Sequence, residues 1–85
     1  MFEGCKISFI GSGAMAEAMI SGLIRNHLAE AKSIFSSDPR AERLEVLEQR
    51  YGIQTSTENL IVIADADVVV LSIKPQVLQK VQDEL

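Results

Sequence analysis

Apolar residues come in short runs broken by glycine, proline and charged positions, and the runs alternate between two periods. Lys6-Ile7-Ser8-Phe9-Ile10 is short, mostly apolar and stopped by Gly11-Ser12-Gly13, the mark of a strand ending in a turn. From Ala14 to about residue 26, Met15, Met19, Gly22 and Leu23 recur at helical spacing, overlapped by Ala16, Ile20, Leu23 and Ile24. So wide an apolar stripe predicts a mostly buried helix. Gly22 inside it costs about 1 kcal/mol relative to alanine, so the helix is expected to approach a neighbouring backbone closely there.

The alternation continues. Residues 33–36 predict a second strand, and Ser37-Asp38-Pro39-Arg40 a helix start, with Asp38 as N-cap and Pro39 at the first helical position. Leu44, Leu47 and Tyr51 line the inner face of this helix, and Gly52 stands where a left-handed C-terminal cap is wanted. Ile53-Gln54-Thr55 restarts an extended chain, and Ser56 or Thr57 caps a third helix running to about residue 64. Asp67-Val68-Val69-Val70-Leu71-Ser72-Ile73 is the continuous apolar run of a strand covered on both faces. Pro75 opens a last, amphipathic helix containing Val77, Leu78 and Val81.

An order β-α-β-α-β-α-β-α with short connections implies right-handed crossovers between parallel strands. The expected fold class is α/β: a Rossmann-type doubly wound parallel sheet, strand order 3-2-1-4, forming one domain over residues 1–85. Ligands of such sheets bind outside the carboxyl ends of strands one and four, where Gly11 to Ala16 and Ser72 to Pro75 fall.

Composition narrows the function classes. Eighty-five residues close one core, and 8 basic against 12 acidic residues give a net charge of -4 with no basic block, so a nucleic-acid partner is not expected. Cys5 has no second thiol and His27 is the only histidine, which argues against a disulfide scaffold or a structural metal. The first residues lack a basic start followed by an apolar run, and charges interrupt every longer apolar stretch, so a cytoplasmic protein without a membrane anchor is expected.

The chemistry concentrates in Gly11-Ser12-Gly13-Ala14-Met15-Ala16, which fits G-x-G-x-x-G/A directly after a strand and at a helix start. Gly11 permits the tight turn, Gly13 clears space for a pyrophosphate, and Ala16 is small enough for close helix-to-strand packing. The end of the second strand selects the dinucleotide. NAD calls for an acid on the ribose 2′-hydroxyl, whereas NADP calls for small polar groups and a cation. Ser36, Ser37 and Arg40 favour NADP(H); Asp38 keeps NAD(H) open, although helix capping explains it more simply. Arg40 is read evenly as phosphate ligand or solvated side chain. Ser72-Ile73-Lys74-Pro75 either lines the nicotinamide-side ribose and pyrophosphate or simply ends a strand. Cys5, His27, Asp65 and Asp67 are read as structural, Met15 and Met19 as core or crevice wall, and Glu17 as a favourable charge at a helix N-terminus.

Together, G-x-G-x-M-A-E-A over residues 11–18, Ser36-Ser37-Asp38-Pro39, Asn59, and Asp67-Val68-Val69 followed by Lys74-Pro75-Gln76 resemble the N-terminal cofactor domain of pyrroline-5-carboxylate reductase. The resemblance spans essentially the whole chain. It implies an NADPH-dependent reductase delivering hydride to the imine carbon of 1-pyrroline-5-carboxylate to give L-proline, the last step of proline biosynthesis. It places the pyrophosphate at Ser12, Gly13, Ala14 and Met15 and the 2′-phosphate near Ser36, Ser37 and Arg40. It also puts Asn59 beside the adenosine, and Ile73, Lys74 and Pro75 along the ribose and nicotinamide. Many members carry Asn where this chain has Ala14, so a side-chain contact is lost there. The family continues into an all-helical region that forms a homo-oligomer and holds the substrate. The 85 residues are therefore expected to be part of a longer reductase, inactive alone and with no catalytic acid among them. Apart from the resemblance, the apolar run of the fourth strand is expected to leave an open edge through which the isolated domain associates or misbehaves in solution. Related readings are an NADP-binding domain of a β-hydroxyacid or F420-linked reductase, and a regulatory protein that keeps the fold without catalysis.

Overall fold

Along β1 (Ile7–Ile10), side chains alternate between two faces, and all four are buried. Ile7 and Phe9 join Ala16, Ile20, Ile34, Leu47 and Ile53 in one apolar cluster. Burying each of the larger members stabilises the fold by about 1.5–3 kcal/mol relative to leaving it exposed. The computed structural model describes residues 4–72. After β1 come α1 (Ala14–Arg25), a 3-10 turn (Ala31–Ser33), β2 (Ile34–Ser37), α2 (Ala41–Tyr51), β3 (Gln54–Ser56), α3 (Asn59–Ile63) and β4 (Val68–Leu71). The helix expected after Pro75 lies outside the described residues.

The sheet is parallel with order β3-β2-β1-β4, as the alternation of periods predicts. Ile7 pairs with Ile34 on one side and Val68 on the other, and Ile10 with Ser37 and Leu71. Two consecutive crossovers carry α1 and α2 over the Ile7 and Phe9 face. The return from β3 to β4 carries α3 to the opposite face, where the Ser8 hydroxyl donates to the carbonyl of Val62 at 2.6 Å. The strand order therefore reverses between β1 and β4, and the carboxyl ends of these parallel strands open into a crevice.

Several local expectations are corrected. A Cβ on Gly22 would meet nothing within 4 Å. The residue borders an open apolar groove with Phe9, Leu23, Val68 and Val70 rather than touching a backbone, and only Ala16 and Ile20 of α1 are fully buried. Asp38 is not the N-cap of α2, a position taken by Arg40 without a side-chain bond. Its Oδ1 instead accepts the backbone N–H of Arg40 at 2.9 Å, an Asx turn that completes itself before the helix begins. Ser56 does the same ahead of α3, accepting the N–H of Glu58 at 3.1 Å. Gly52 behaves as expected, with a left-handed φ of 74° and its N–H on the carbonyl of Glu48.

The expectation that the fourth strand is covered on both faces does not hold among the described residues. Val69 and Leu71 are 44% and 45% exposed, because α1, α2 and α3 stand over β1, β2 and β3.

Candidate functional site

Gly11 takes the first step out of β1 with φ 99°, a left-handed conformation that a side chain would strain. Its N–H donates to the carbonyl of Ser37 at 2.9 Å, so the turn stays stitched to β2. Ser12 folds inward and is fully buried. Its hydroxyl lies 2.5 Å from that of Ser36 and donates to the carbonyl of Ser37 at 2.9 Å, while its N–H donates to Asp38 Oδ2 at 3.0 Å. Each buried polar group is thereby satisfied within the wall.

Gly13 then caps α1. The first α-type bond runs from the N–H of Glu17 to the carbonyl of Gly13 at 3.0 Å. The N–H groups of Ala14, Met15 and Ala16 consequently have no partner within their own helix, and Gly13 has no side chain with which to cap them. A Cβ on Gly13 would meet nothing within 4 Å, so the space above the turn is open. Backbone donors, the positive end of the helix dipole and clear ground together suit an anion of phosphate size.

These groups line a cleft of about 500 Å³ that also receives Ile10, Ser37, Asp38, Arg40, Asn59, Leu71 and Ser72. At its far wall the Ser37 hydroxyl donates to Asn59 Oδ1 at 2.6 Å, joining the end of β2 to the start of α3. On the β4 side the Ser72 hydroxyl is within bonding distance of the carbonyls of Ile10 and Gly11, at 3.1 and 2.9 Å. Of the residues singled out from sequence, Gly11, Gly13, Ala14, Met15, Ser37, Arg40, Asn59 and Ser72 thus come together. Met15, 68% exposed, forms part of the crevice wall.

Two of the expected ligands are placed differently. Ser36 points to the α1 and α2 face, is fully buried and spends its hydroxyl on Ser12, so it lies beneath the cleft and not on it. Ser12 lines the cleft, but its N–H and hydroxyl are both engaged in the wall. Ile73, Lys74 and Pro75 fall outside the described residues.

Asp38 settles into a role the sequence left open. Its carboxylate accepts four hydrogen bonds: Oδ1 from the N–H and Nε of Arg40, and Oδ2 from the N–H of Ser12 and Nη2 of Arg40. A carboxylate offers about four acceptor positions. Burial pushes its pKa up, but the bonds from Arg40 and Ser12 more than offset that, and the group lies below the ordinary aspartate value. Arg40 keeps a 56% exposed side chain at the cleft rim.

Sequence reading missed a second cluster. Glu17 is more than a favourable charge on the first turn of α1. Its Oε1 accepts from Arg43 at 2.6 Å, and its Oε2 from Arg50 and Tyr51, each at 2.7 Å. Bonds from Tyr51, Arg43 and Arg50 hold its pKa down at about 2. The available signal was spacing: Arg43, Arg50 and Tyr51 stand seven and eight apart on α2 and so share a face.

A parallel sheet whose first strand runs through a glycine turn into an uncapped helix, at the point where strand order reverses, defines a dinucleotide-binding α/β domain. The chain belongs to the family described as NADP oxidoreductase coenzyme F420-dependent, whose model matches residues 6–85. It is similar to the pyrroline-5-carboxylate reductase of Vibrio alginolyticus, with 45% identity over 79 residues, covering 93% of this chain and 29% of the relative. It is similar also to pyrroline-5-carboxylate reductase 1 of Bacillus subtilis, with 40% identity over 77 residues, 89% of this chain and 26% of that one. Among solved structures, a pyrroline-5-carboxylate reductase from Coxiella burnetii superposes with a TM-score of 0.90 and 33% identity, covering 95% of this chain and 30% of that one. The resemblance read from the residues is upheld, and the chain spans less than a third of the length of these relatives. Among the described residues no helix is long and apolar enough to cross a membrane.

Proposed function

We propose that residues 1–85 are the NADP(H)-binding domain of a reductase that converts 1-pyrroline-5-carboxylate to L-proline. The observation that carries the cofactor assignment is the open ground above Gly13, beside the N–H groups at the start of α1 that have no partner within their own helix. Gly13, Ala14 and Met15 would hold the pyrophosphate, while Ser12 shapes the turn from beneath. Asn59 and Ser37 would border the adenosine, with Arg40 meeting the 2′-phosphate at the rim. NADP(H) is favoured over NAD(H) because the four bonds already made by Asp38 leave it no acceptor position for a ribose hydroxyl.

The chemistry that the cofactor supplies when bound is hydride transfer, here to the imine carbon of the substrate, whose ring nitrogen gains a proton. This chain's own part is to bind and orient. Lys74 and its neighbours would extend the site along the ribose and nicotinamide. The substrate pocket, a homo-oligomeric interface and the source of the proton belong to the remaining length that the relatives possess, and a cytoplasmic location accords with this role.

The family description favours a second reading, an F420-linked NADP reductase. Grafting this chain in place of the matching region of the Vibrio alginolyticus reductase separates the two. NADPH-dependent formation of proline by the chimera supports the first. A folded chimera that reduces oxidised F420 but leaves 1-pyrroline-5-carboxylate untouched overturns it.

A further inference from the structure

Arg43 stands on α2, outside the lining of the cleft, yet its guanidinium reaches into the glycine turn. Nε donates to the carbonyl of Ser12 at 2.6 Å, and Nη2 to Glu17 Oε1 at 2.6 Å. Only 22% of its side chain is exposed, and the Glu17 carboxylate that holds it is fixed from the other side by Arg50 and Tyr51. The guanidinium therefore has a set position.

The turn contains two peptide planes. The Gly11–Ser12 plane is pinned at both ends, its carbonyl by the Ser72 hydroxyl at 2.9 Å and its N–H by Asp38 at 3.0 Å. The Ser12–Gly13 plane is held at its carbonyl by Arg43. A trans peptide points its C=O and N–H in opposite directions, so a carbonyl turned towards α2 turns the Gly13 N–H away from α2, to the side where Gly13, Ala14 and Met15 face the cleft. Because Gly13 has no Cβ, the plane preceding it rotates at little steric cost, and an external anchor decides its direction.

We propose that Arg43 is a positioning residue for the pyrophosphate of the bound dinucleotide: it sets the Ser12–Gly13 peptide so that the Gly13 N–H joins the N–H groups of the first turn of α1. The assignment rests on the cofactor-domain reading above and adds to it a residue that touches no ligand. Arg50 supplies an internal control, since it bonds the same Glu17 carboxylate without reaching the turn.

The test is calorimetric titration of the chain and of its Arg43→Gln, Arg43→Lys and Arg50→Gln variants with NADPH, ADP and adenosine 2′-phosphate. Arg43→Gln should weaken ADP and NADPH by about tenfold, as expected when one charge-assisted bond no longer orients the turn. Adenosine 2′-phosphate, which has no pyrophosphate, should bind as before. Arg43→Lys should regain part of the loss through its own bond to the Ser12 carbonyl, and it carries the test if Arg43→Gln does not fold. Arg50→Gln should bind all three probes like the wild type, because Tyr51 still holds Glu17 and the bond from Arg43 to the Ser12 carbonyl is untouched. Equal binding of ADP by wild type and both Arg43 variants overturns the assignment while leaving the cofactor reading intact, as does an equal loss in the Arg43 and Arg50 variants. A folded wild-type chain that binds none of the probes overturns the cofactor reading and this assignment with it.

Discussion

β1 and β4 run side by side in the same sheet, residue against residue, and are built from the same kind of apolar run, yet they live in different surroundings. Every residue of β1 is buried, whereas three of the four in β4 are exposed. The difference follows from crossovers, because helices stand over β1 to β3, and among the described residues β4 forms the outer edge. The cleft inherits this asymmetry. Its β2 wall is a closed set of mutually bonded groups, Ser12, Ser36, Ser37 and Asp38, while its β4 wall offers Leu71 and the hydroxyl of Ser72. A rigid wall beside an open one suits a site that fixes one part of a long ligand and leaves the rest to further structure.

The contrast can be broken most forcefully from the buried side. Phe9→Ala should cost about 3–5 kcal/mol in urea unfolding, a large share of the stability of a domain this small, through the cavity left between the sheet and α1. A loss no greater than that from an exposed valine would refute the division between the strands.

Acid should act next, through the α1–α2 bridge on the closed side. The pKa of Glu17 falls from 4.5 to about 2 on folding, so its stabilisation is complete above about pH 4.5 and is lost as pH drops through the window towards 2. Comparison with Glu17→Gln by denaturant titration should therefore show a stability gap that narrows across that interval. Parallel curves would mean that the bridge does not carry the effect.

Arg40→Gln, at the rim of the closed wall, should then reduce affinity for NADPH while leaving that for NADH unchanged or raised, since it frees two acceptor positions on Asp38, with both read by calorimetry. A proportional loss for the two nucleotides would remove Arg40 from 2′-phosphate recognition. The smallest effect belongs to the open strand: Val69→Thr should stay within about 0.5 kcal/mol of the wild type. A larger loss would show that β4 is covered in solution.

The sheet was legible because apolar period alone distinguishes Ile7 to Ile10 from the stripe on α1, and glycine and proline mark the breaks. The glycine turn was legible for the same reason, since Gly11 and Gly13 have few other uses between a strand and a helix. What the pattern did not disclose was how polar residues spend their bonds. Ser36 and Ser37 are neighbours of one type, yet strand alternation sends the first under the turn and the second towards Asn59. Asp38 looked like a cap because Pro39 follows it, and only the fold brings the N–H of Ser12 within reach of its carboxylate. Nothing in the pattern singled out Arg43, because its partners, Ser12 and Glu17, are 31 and 26 positions away in sequence.

On the proposed function, the cleft above Gly13 receives a dinucleotide with a 2′-phosphate. Calorimetric titration of the chain with NADPH and, separately, with NADH tests it most directly, run beside a Gly13→Val variant whose side chain would occupy the open ground. NADPH should bind, more tightly than NADH, and the valine variant should bind neither while remaining folded by circular dichroism. A folded wild-type chain that binds neither nucleotide, or a valine variant that binds NADPH as well as the wild type, would contradict it.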